Sequence, residues 1–182
     1  MKAATPKPAS SVKVERLSVE PNGGVPNHPR LPALLYPGAL EVDSGTEAVK
    51  ALCMSNGWSG VWDWTVYDFH HFHPASHEAL IVVAGRARLE LGGPDGAVRD
   101  VTAGDALILP AGFGHRRAEG SDDFRVVGAY PKGQESPEIV RADLRAAQSA
   151  RASIAATPLP ELDPVFGANG PMVRIWRQDG SV

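Results

Sequence analysis

Residues 70–78 read His-His-Phe-His-Pro-Ala-Ser-His-Glu and place four histidines within eight positions. A strand turns alternate side chains to the same face, so we expect His71 and His73 to point the same way. Two imidazoles on one face of a strand would form half of a metal site. Glu78, which follows the Pro-Ala-Ser-His turn, could add a carboxylate from the neighbouring strand.

A second stretch, residues 104–115, reads Gly-Asp-Ala-Leu-Ile-Leu-Pro-Ala-Gly-Phe-Gly-His and ends on another histidine. His115 follows the turn that begins at Pro110 and could provide a fourth ligand. Three neutral imidazoles and one carboxylate suit a divalent first-row metal such as Fe, Mn, Ni or Zn. On an octahedral ion, four protein ligands would leave about two positions for water, substrate or oxygen.

The sequence around these two stretches has a pattern typical of short strands separated by turns. The strand-like segments are residues 62–72, 79–84, 87–91, 98–101, 106–109, 115–118 and 124–130. The 19 glycines and 16 prolines of the chain also favour short strands over long helices. Several short strands at this spacing predict a sandwich or barrel.

Four further elements are predicted outside this region. The alternating residues 12–19 indicate an edge strand, and the Ser-Gly-Thr-Glu sequence at 44–47 predicts a capping box at the start of a short helix. The Ala- and Arg-rich residues 142–156 predict a surface helix. Residues 172–176 alternate between two sets of side chains and predict a final strand.

The composition limits the classes of partner and compartment. Lys and Arg number 18 against 21 Asp and Glu, which gives a net charge of −3 and no basic run for nucleic acid. No apolar stretch approaches the roughly 20 residues that cross a bilayer, so we expect no membrane contact. The N-terminus lacks an apolar signal core, and the single cysteine, Cys53, excludes an intramolecular disulfide and a Cys-based zinc site. We therefore expect a cytoplasmic protein.

The spacing within the two histidine stretches resembles the two motifs of the cupin superfamily. The first motif is matched by two histidines, a glutamate and a glycine, namely His71, His73, Glu78 and Gly85. The second is matched by Gly104, Pro110, Gly112 and His115. The surrounding sequence is similar to that of the YjlB-like cupins, a largely uncharacterised bacterial group. The similar segments are residues 26–40, 92–96, 104–115, 122–134 and 159–171.

The resemblance implies an all-β fold, a jelly-roll double-stranded β-barrel with a short N-terminal helix and with N- and C-terminal extensions. It assigns the metal ligand roles to His71, His73, Glu78 and His115. Two positions depart from the family pattern. Thr65 stands where a glycine is usual, and Glu119 stands where an asparagine often follows the second motif. Both changes would alter the pocket without removing a ligand.

The domain boundaries follow from the same resemblance. We expect residues 1–22 to be a flexible tail with an edge strand and residues 23–134 to hold the barrel with its preceding arm and helix. Residues 135–182 would be a C-terminal extension that packs on the barrel or on a partner. Because an open barrel must cover its sheet edges, we expect a homodimer in which an extension crosses to the neighbouring subunit.

Strand alternation predicts which other side chains face the pocket. If His71 and His73 point inward, so should Tyr67 and Phe69. From His115 the inward set continues with Arg117 and Glu119. Arg117 could pair with a substrate carboxylate, or it could form only an ion pair with Glu119 at the rim. The tryptophans at 58, 62 and 64 are expected in the core or at an interface.

His77 is adjacent to Glu78 and therefore points to the opposite face of a regular strand. That placement favours a structural role or a role in orienting Glu78, although an irregular turn could bring it into the pocket. His70 is expected to point outward.

These residues predict a metal-binding protein, and the cupin fold by itself does not define the reaction. The leading hypothesis is a metal-dependent enzyme, an oxygenase or an isomerase, that acts on a small oxygen-bearing metabolite. The alternative is a barrel that binds a metal and a ligand without turnover. The sequence identifies no catalytic residue beyond the metal ligands.

Overall fold

The computed structural model describes residues 4–41 and 45–180, and its strands form two antiparallel sheets. The strands are β1 (Glu15–Leu17), β2 (Ala33–Tyr36), β3 (Trp58–Trp64), β4 (His71–Phe72), β5 (Glu78–Ala84), β6 (Arg86–Leu91), β7 (Ala97–Thr102), β8 (Ala106–Leu109), β9 (His115–Gly120), β10 (Arg125–Pro131) and β11 (Val140–Arg141). The helices are α1 (Thr46–Ser55), α2 (Leu144–Ala156) and α3 (Pro171–Gly180).

The sheets stack as a jelly-roll sandwich and do not close into a barrel. One sheet has the order β1-β2-β8-β5-β10-β3 and the other the order β11-β4-β9-β6-β7, so each keeps two edge strands. The jelly roll agrees with the prediction, but the predicted barrel is wrong, because the sheets remain separate and residues 65–70 leave the first sheet as irregular backbone before β4 begins. Gly85 alone separates β5 from β6 and has a φ of +67°. A Cβ there would lie 2.7 Å from the Cα of Phe124, which explains the glycine.

Strand β5 is buried on both faces, which explains its continuous apolar sequence. Leu80 and Val82 point into the core between the two sheets, where they meet Leu89 of β6. Ala79 and Ile81 point the other way and contribute to a second core that α1 and α3 cover. The six-stranded sheet therefore lies in the middle of three layers, with the second sheet on one side and helices on the other.

Residues 172–176 were predicted as a strand, and this prediction is wrong because they lie in α3. The buried side chains are Met172, Val173, Ile175 and Trp176, a spacing that fits one face of a helix. A run of five residues is too short to separate this period from strand alternation. With α3 added to the two expected helices, the extensions do not fit an all-β description.

The predicted edge strand and the predicted surface helix agree with the structure. β1 is an edge strand of the six-stranded sheet, and α2 begins at Leu144 within the predicted surface segment. The Asp143 carboxylate caps α2 by accepting from the N–H of Ala146 at 2.8 Å. Helix α1 begins at Thr46, and Ser44 of the predicted capping box lies outside the described residues. None of the helices in the described segments is long and apolar enough to cross a membrane.

A buried polar cluster fixes the C-terminal extension to the six-stranded sheet. The Tyr36 hydroxyl on β2 donates to Asp163 Oδ2 at 2.7 Å. The other carboxylate oxygen accepts from the N–H groups of Val165 and Phe166. The N–H of Met172, at the start of α3, donates to the Tyr36 hydroxyl at 2.8 Å. Asp163 is fully buried, so these hydrogen bonds offset the cost of removing its carboxylate from water.

Both extensions pack on the sheets of their own chain. β1 pairs with β2, the N–H of Lys7 donates to the carbonyl of Ala39, and Trp176 of α3 is buried in the helix-covered core. The homodimer and the exchange of extensions between subunits stay predictions.

His77 forms a second buried connection between the sheets and the C-terminal extension. Its Nδ1 accepts from the N–H of Ala111 at 2.9 Å, and its Nε2 donates to the carbonyl of Pro158 at 3.1 Å. The ring centroid lies 4.9 Å from that of Trp176. Burial, together with the nearby His28, lowers the pKa of His77 to about 3, so the ring is neutral at pH 7.

We expect the metal-free protein to lose stability as the pH falls below about 6.5, the pKa of an exposed histidine. Below that pH the unfolded chain protonates His77 whereas the buried ring stays neutral, so the free energy of unfolding falls by up to about 1.4 kcal/mol per pH unit for this group. Urea unfolding in EDTA, between about pH 7.5 and 4.5, measures the slope. His77→Gln should give a shallower slope, and an identical slope in both proteins would contradict this assignment.

Candidate metal centre

The two sheets each contribute to one cluster of titratable side chains. His71 on β4 and His115 on β9 are directly opposed residues of neighbouring strands, and their ring centroids lie 4.1 Å apart. His73 follows β4 on the same side. Glu78, the first residue of β5, reaches the cluster from the other sheet. The cluster therefore lies between the sheets, and its assembly requires both of them.

The side-chain atoms of this cluster converge in the interior. Nitrogens of the three histidines, His71, His73 and His115, lie within 4.8 Å of one another. The Oε2 atom of Glu78 lies 3.0 Å from His115 Nε2 and 3.3 Å from His73 Nε2. All four side chains are buried. Three imidazoles in this arrangement could hold a metal ion.

Backbone carbonyls fix the tautomer and orientation of each imidazole. The Nδ1 atoms of His71, His73 and His115 lie 3.0, 2.9 and 3.2 Å from the carbonyl oxygens of residues 69, 138 and 113. A carbonyl can only accept, so each Nδ1 carries a proton and each neutral ring presents a lone pair at Nε2. Metal-binding histidines are commonly held in this way.

The carboxylate provides a test of whether a cation fits. When the imidazoles are neutral, the buried Oε2 atom of Glu78 has no hydrogen-bond donor among the described residues, because the two Nε2 atoms that face it present lone pairs. Carboxylate oxygens and imidazole lone pairs repel each other unless a proton or a cation lies between them. The donor set therefore fits a divalent first-row ion.

The electrostatics of the metal-free cluster point the same way. Burial disfavours charge on Glu78, but His73 and His115 hold its pKa well below the usual range, so it stays a carboxylate. Burial, with the help of His115, lowers the pKa of His71 to about 3. Burial also opposes charge on His73, but the Glu78 carboxylate outweighs it and raises the pKa. In the metal-free protein, a proton on His73 would thus supply the positive charge that a bound metal ion would otherwise supply.

Tyr130 on β10 holds the second oxygen of the carboxylate. Its hydroxyl donates to Glu78 Oε1 at 3.1 Å and accepts from the indole N–H of Trp62 at 2.7 Å. Burial and the adjacent Glu78 raise the pKa of Tyr130, so the hydroxyl keeps its proton. A Cβ on Gly128 would lie 2.1 Å from Trp62, so this glycine lets the indole lie across β10. The arrangement leaves Oε2 of Glu78 free for an ion.

A cavity of about 230 Å³ opens beside the cluster. Its other walls are aromatic and aliphatic apart from one threonine, and consist of Trp62, Trp64, Thr65, Val66, Tyr67, Leu80, Tyr130 and Ile139. The three histidines and Glu78 lie at its buried end, whereas Trp64 and Ile139 are about half exposed and form its mouth. The cavity gives a small molecule access to the cluster.

The structure places the predicted aromatic pocket residues differently. Tyr67 lines the cavity, but Phe69 stands behind it, stacked on Tyr67 at 4.8 Å. Alternation fails here because residues 65–70 are irregular backbone rather than strand. Trp62 and Trp64, for which a place in the core or at an interface was expected, both line the cavity.

Arg117 and Glu119 do not line the cavity, in contrast to the prediction. A register shift in the pairing of β6 with β9 places Glu119 opposite Arg88, and its side chain points into solvent. The Arg117 side chain runs along β9, where a Cβ on Gly120 would contact it at 3.2 Å. The Glu119 carboxylate lies 4.0 Å from the guanidinium of Arg88.

His77 also lies outside the cavity, and His70 Nε2 lies 3.0 Å from the Glu90 carboxylate. Sequence reasoning missed Tyr130 and the carbonyl of Glu138. No local pattern marks Tyr130, which reaches Glu78 because the pairing of β10 with β5 continues one step beyond the Ala129–Ala79 pair. The carbonyl that orients His73 belongs to the C-terminal extension and carries no side-chain signal.

Comparison with known proteins adds a family to this geometry. Residues 65–130 match the model of the cupin domain. A protein from Bacillus subtilis (strain 168), described as uncharacterized protein YjlB, is 36% identical over 155 residues, which is 85% of this chain and 92% of that protein.

Solved structures show weaker similarity. A TDP-fucose-3,4-ketoisomerase from Campylobacter jejuni is 13% identical with a TM-score of 0.40, over 52% of this chain and 74% of that chain. A variant of oxalate decarboxylase from Bacillus subtilis is 19% identical with a TM-score of 0.33, over 60% and 22%. TM-scores this low carry no argument about the reaction. The identity to YjlB and the match to the domain model show that the chain belongs to the cupin superfamily, in the family of YjlB.

Proposed function

We propose that the chain is a metal-dependent enzyme, an oxygenase or an isomerase, that acts on a small oxygen-bearing metabolite. His71, His73, Glu78 and His115 would hold one divalent ion, Fe, Mn, Ni or Zn. The observation that carries the proposal is the Oε2 atom of Glu78, which is buried without a donor and faces imidazole lone pairs.

Different residues of the chain would orient the ligands, position the carboxylate and exclude water at such a site. When bound, the ion would supply Lewis-acid polarisation of a substrate oxygen and, in an oxygenase, redox chemistry that no side chain provides. The backbone carbonyls hold the proton of each imidazole at Nδ1 and aim each Nε2 inward. Tyr130 keeps one oxygen of Glu78 in place. The apolar walls exclude water from the buried end of the cavity.

One observation favours a second candidate, a protein that binds a metal and a ligand without turnover. Apart from the four proposed ligands, the described residues that line the cavity include no carboxylate, lysine or histidine that could move a proton. Tyr130 already donates its proton to Glu78. An isomerase would need the ion or the substrate itself to assist proton transfer, whereas a binding protein would need neither.

The first prediction concerns metal content. Protein purified without chelator should contain about one ion per chain when Fe, Mn, Ni, Zn and Cu are measured by mass spectrometry. His73→Ala removes a direct ligand and should weaken metal binding by more than about 100-fold. Loss of a residue that only orients a ligand typically costs about 10- to 100-fold. His70→Ala is the matched control and should keep the ion. The proposal fails if the wild-type protein contains no ion and takes up none on reconstitution.

The second prediction concerns Tyr130. Tyr130→Phe removes the donor to Glu78 Oε1 and should weaken metal binding by about tenfold, because the carboxylate is no longer oriented. Competition with a chromophoric chelator measures the affinity. Tyr67→Phe, which removes a hydroxyl from the same cavity but not the one that donates to Glu78, should bind the ion as tightly as the wild type. Equal affinities for all three proteins would refute this role.

The third prediction separates the two candidate functions. Metal-loaded protein should consume oxygen, or exchange or isomerise substrate protons detected by NMR, with at least one compound in a panel of small keto acids and enols. The activity should disappear in His73→Ala and persist in His70→Ala. Silence in both assays, with the ion bound, would support the non-catalytic binding protein instead.

A further inference from the structure

We infer that the cavity takes a planar, aromatic compound that offers two oxygens to the ion and carries no second charged group. The inference rests on the proposed function, since the ion is the anchor at the buried end. It narrows the substrate class from any small oxygen-bearing metabolite to an aromatic or similarly flat chelator.

The charge of the walls excludes a second anionic group. None of the side chains that line the cavity is a lysine or an arginine. Arg117 runs along β9 towards Gly120, and the guanidinium of Arg141 lies 3.6 Å over the ring of Phe69, behind the wall. A carboxylate or phosphate away from the ion would lose its water without gaining a cation. A nucleotide or a dicarboxylate therefore does not suit this cavity.

The aromatic walls are held rigidly, as a surface for stacking requires. The Trp64 ring meets Tyr67 edge-on at 5.6 Å, and Tyr67 is stacked on Phe69. The guanidinium of Arg141 covers the far face of this stack. On the opposite side the indole of Trp62 is anchored by its bond to Tyr130. A ring that enters between these groups would gain stacking contacts without ordering them first.

The exposure of Trp64 gives a second, independent reason to expect that an aromatic ring binds at the cavity mouth. Its ring is 56% exposed at the mouth of the cavity, next to Ile139 at 48%. Exposed large apolar side chains grouped at one cavity entrance mark a binding surface more often than isolated ones do. The volume of about 230 Å³ lies below the roughly 300–1,000 Å³ of drug-sized sites, so one ring and a small head group fill it.

Three hydroxamates test the inference, because they share one metal-binding head and differ only in what it carries. The probes are acetohydroxamate, benzohydroxamate and the monohydroxamate of succinate, titrated calorimetrically into protein loaded with the ion that it binds stoichiometrically. Benzohydroxamate should bind at least about tenfold more tightly than acetohydroxamate, because of its ring. The succinate derivative should bind more weakly than acetohydroxamate, because its carboxylate finds no cation.

Variants at the mouth assign the effect to the wall. Trp64→Ala should reduce the preference for benzohydroxamate several-fold, and Ile139→Ala should reduce it less. Met54→Ala, which removes an exposed apolar side chain on α1, should leave it unchanged. Because Trp64 is exposed, its loss should not unfold the protein, and circular dichroism checks this.

The outcomes separate this inference from the proposed function. If no ion binds, both fail together. If the ion binds but the ring gives no preference, or if the succinate derivative binds best, the inference fails while the proposed function stands. If Trp64→Ala leaves the preference intact but changes the oligomeric state in light scattering, Trp64 is an interface residue and the inference is overturned.

Discussion

A buried carboxylate oxygen that receives no hydrogen bond constrains the rest of this structure. Glu78 Oε2 lies 3.0 Å from one imidazole nitrogen and 3.3 Å from another, and both nitrogens present lone pairs. Such an arrangement is unfavourable unless positive charge lies among these atoms. The surrounding contacts do not relieve it: carbonyls hold the imidazoles in this tautomer, and Tyr130 satisfies only the other oxygen. Without a cation, the fold is therefore less stable than it would be if this carboxylate oxygen had a hydrogen-bond donor.

The sandwich architecture explains how this arrangement persists. The histidines belong to one sheet and Glu78 to the other, so the distance between them is set by the packing of the apolar core around Leu80 and Leu89. Dense packing resists small displacements, which holds the four side chains at fixed separations. The same packing leaves the cavity beside them apolar. The packing of the apolar core thus determines both the separations of the four clustered side chains and the apolar character of the cavity.

The sequence was most informative where spacing along a single strand or motif decides the outcome. The His-x-His spacing of His71 and His73 and the turn before His115 were enough to predict which imidazoles meet. Prediction failed where pairing between distant segments decides. The irregular backbone at 65–70 turned Phe69 out of the cavity, and the register shift in β9 turned Glu119 into solvent. Helix α3 was mistaken for a strand because five residues cannot separate the two periods.

The least predictable contribution comes from beyond the match to the cupin domain, which covers residues 65–130. The Nδ1 atom of His73 is oriented by the carbonyl of Glu138, and the next residue, Ile139, forms part of the cavity mouth. Strand β11 then pairs with β4, which carries His71. The C-terminal extension is held in turn by the buried Asp163 and by His77. A chain cut after residue 130 would keep all four proposed ligands and lose the group that aims one of them, so the site belongs to the sheets and the extension together.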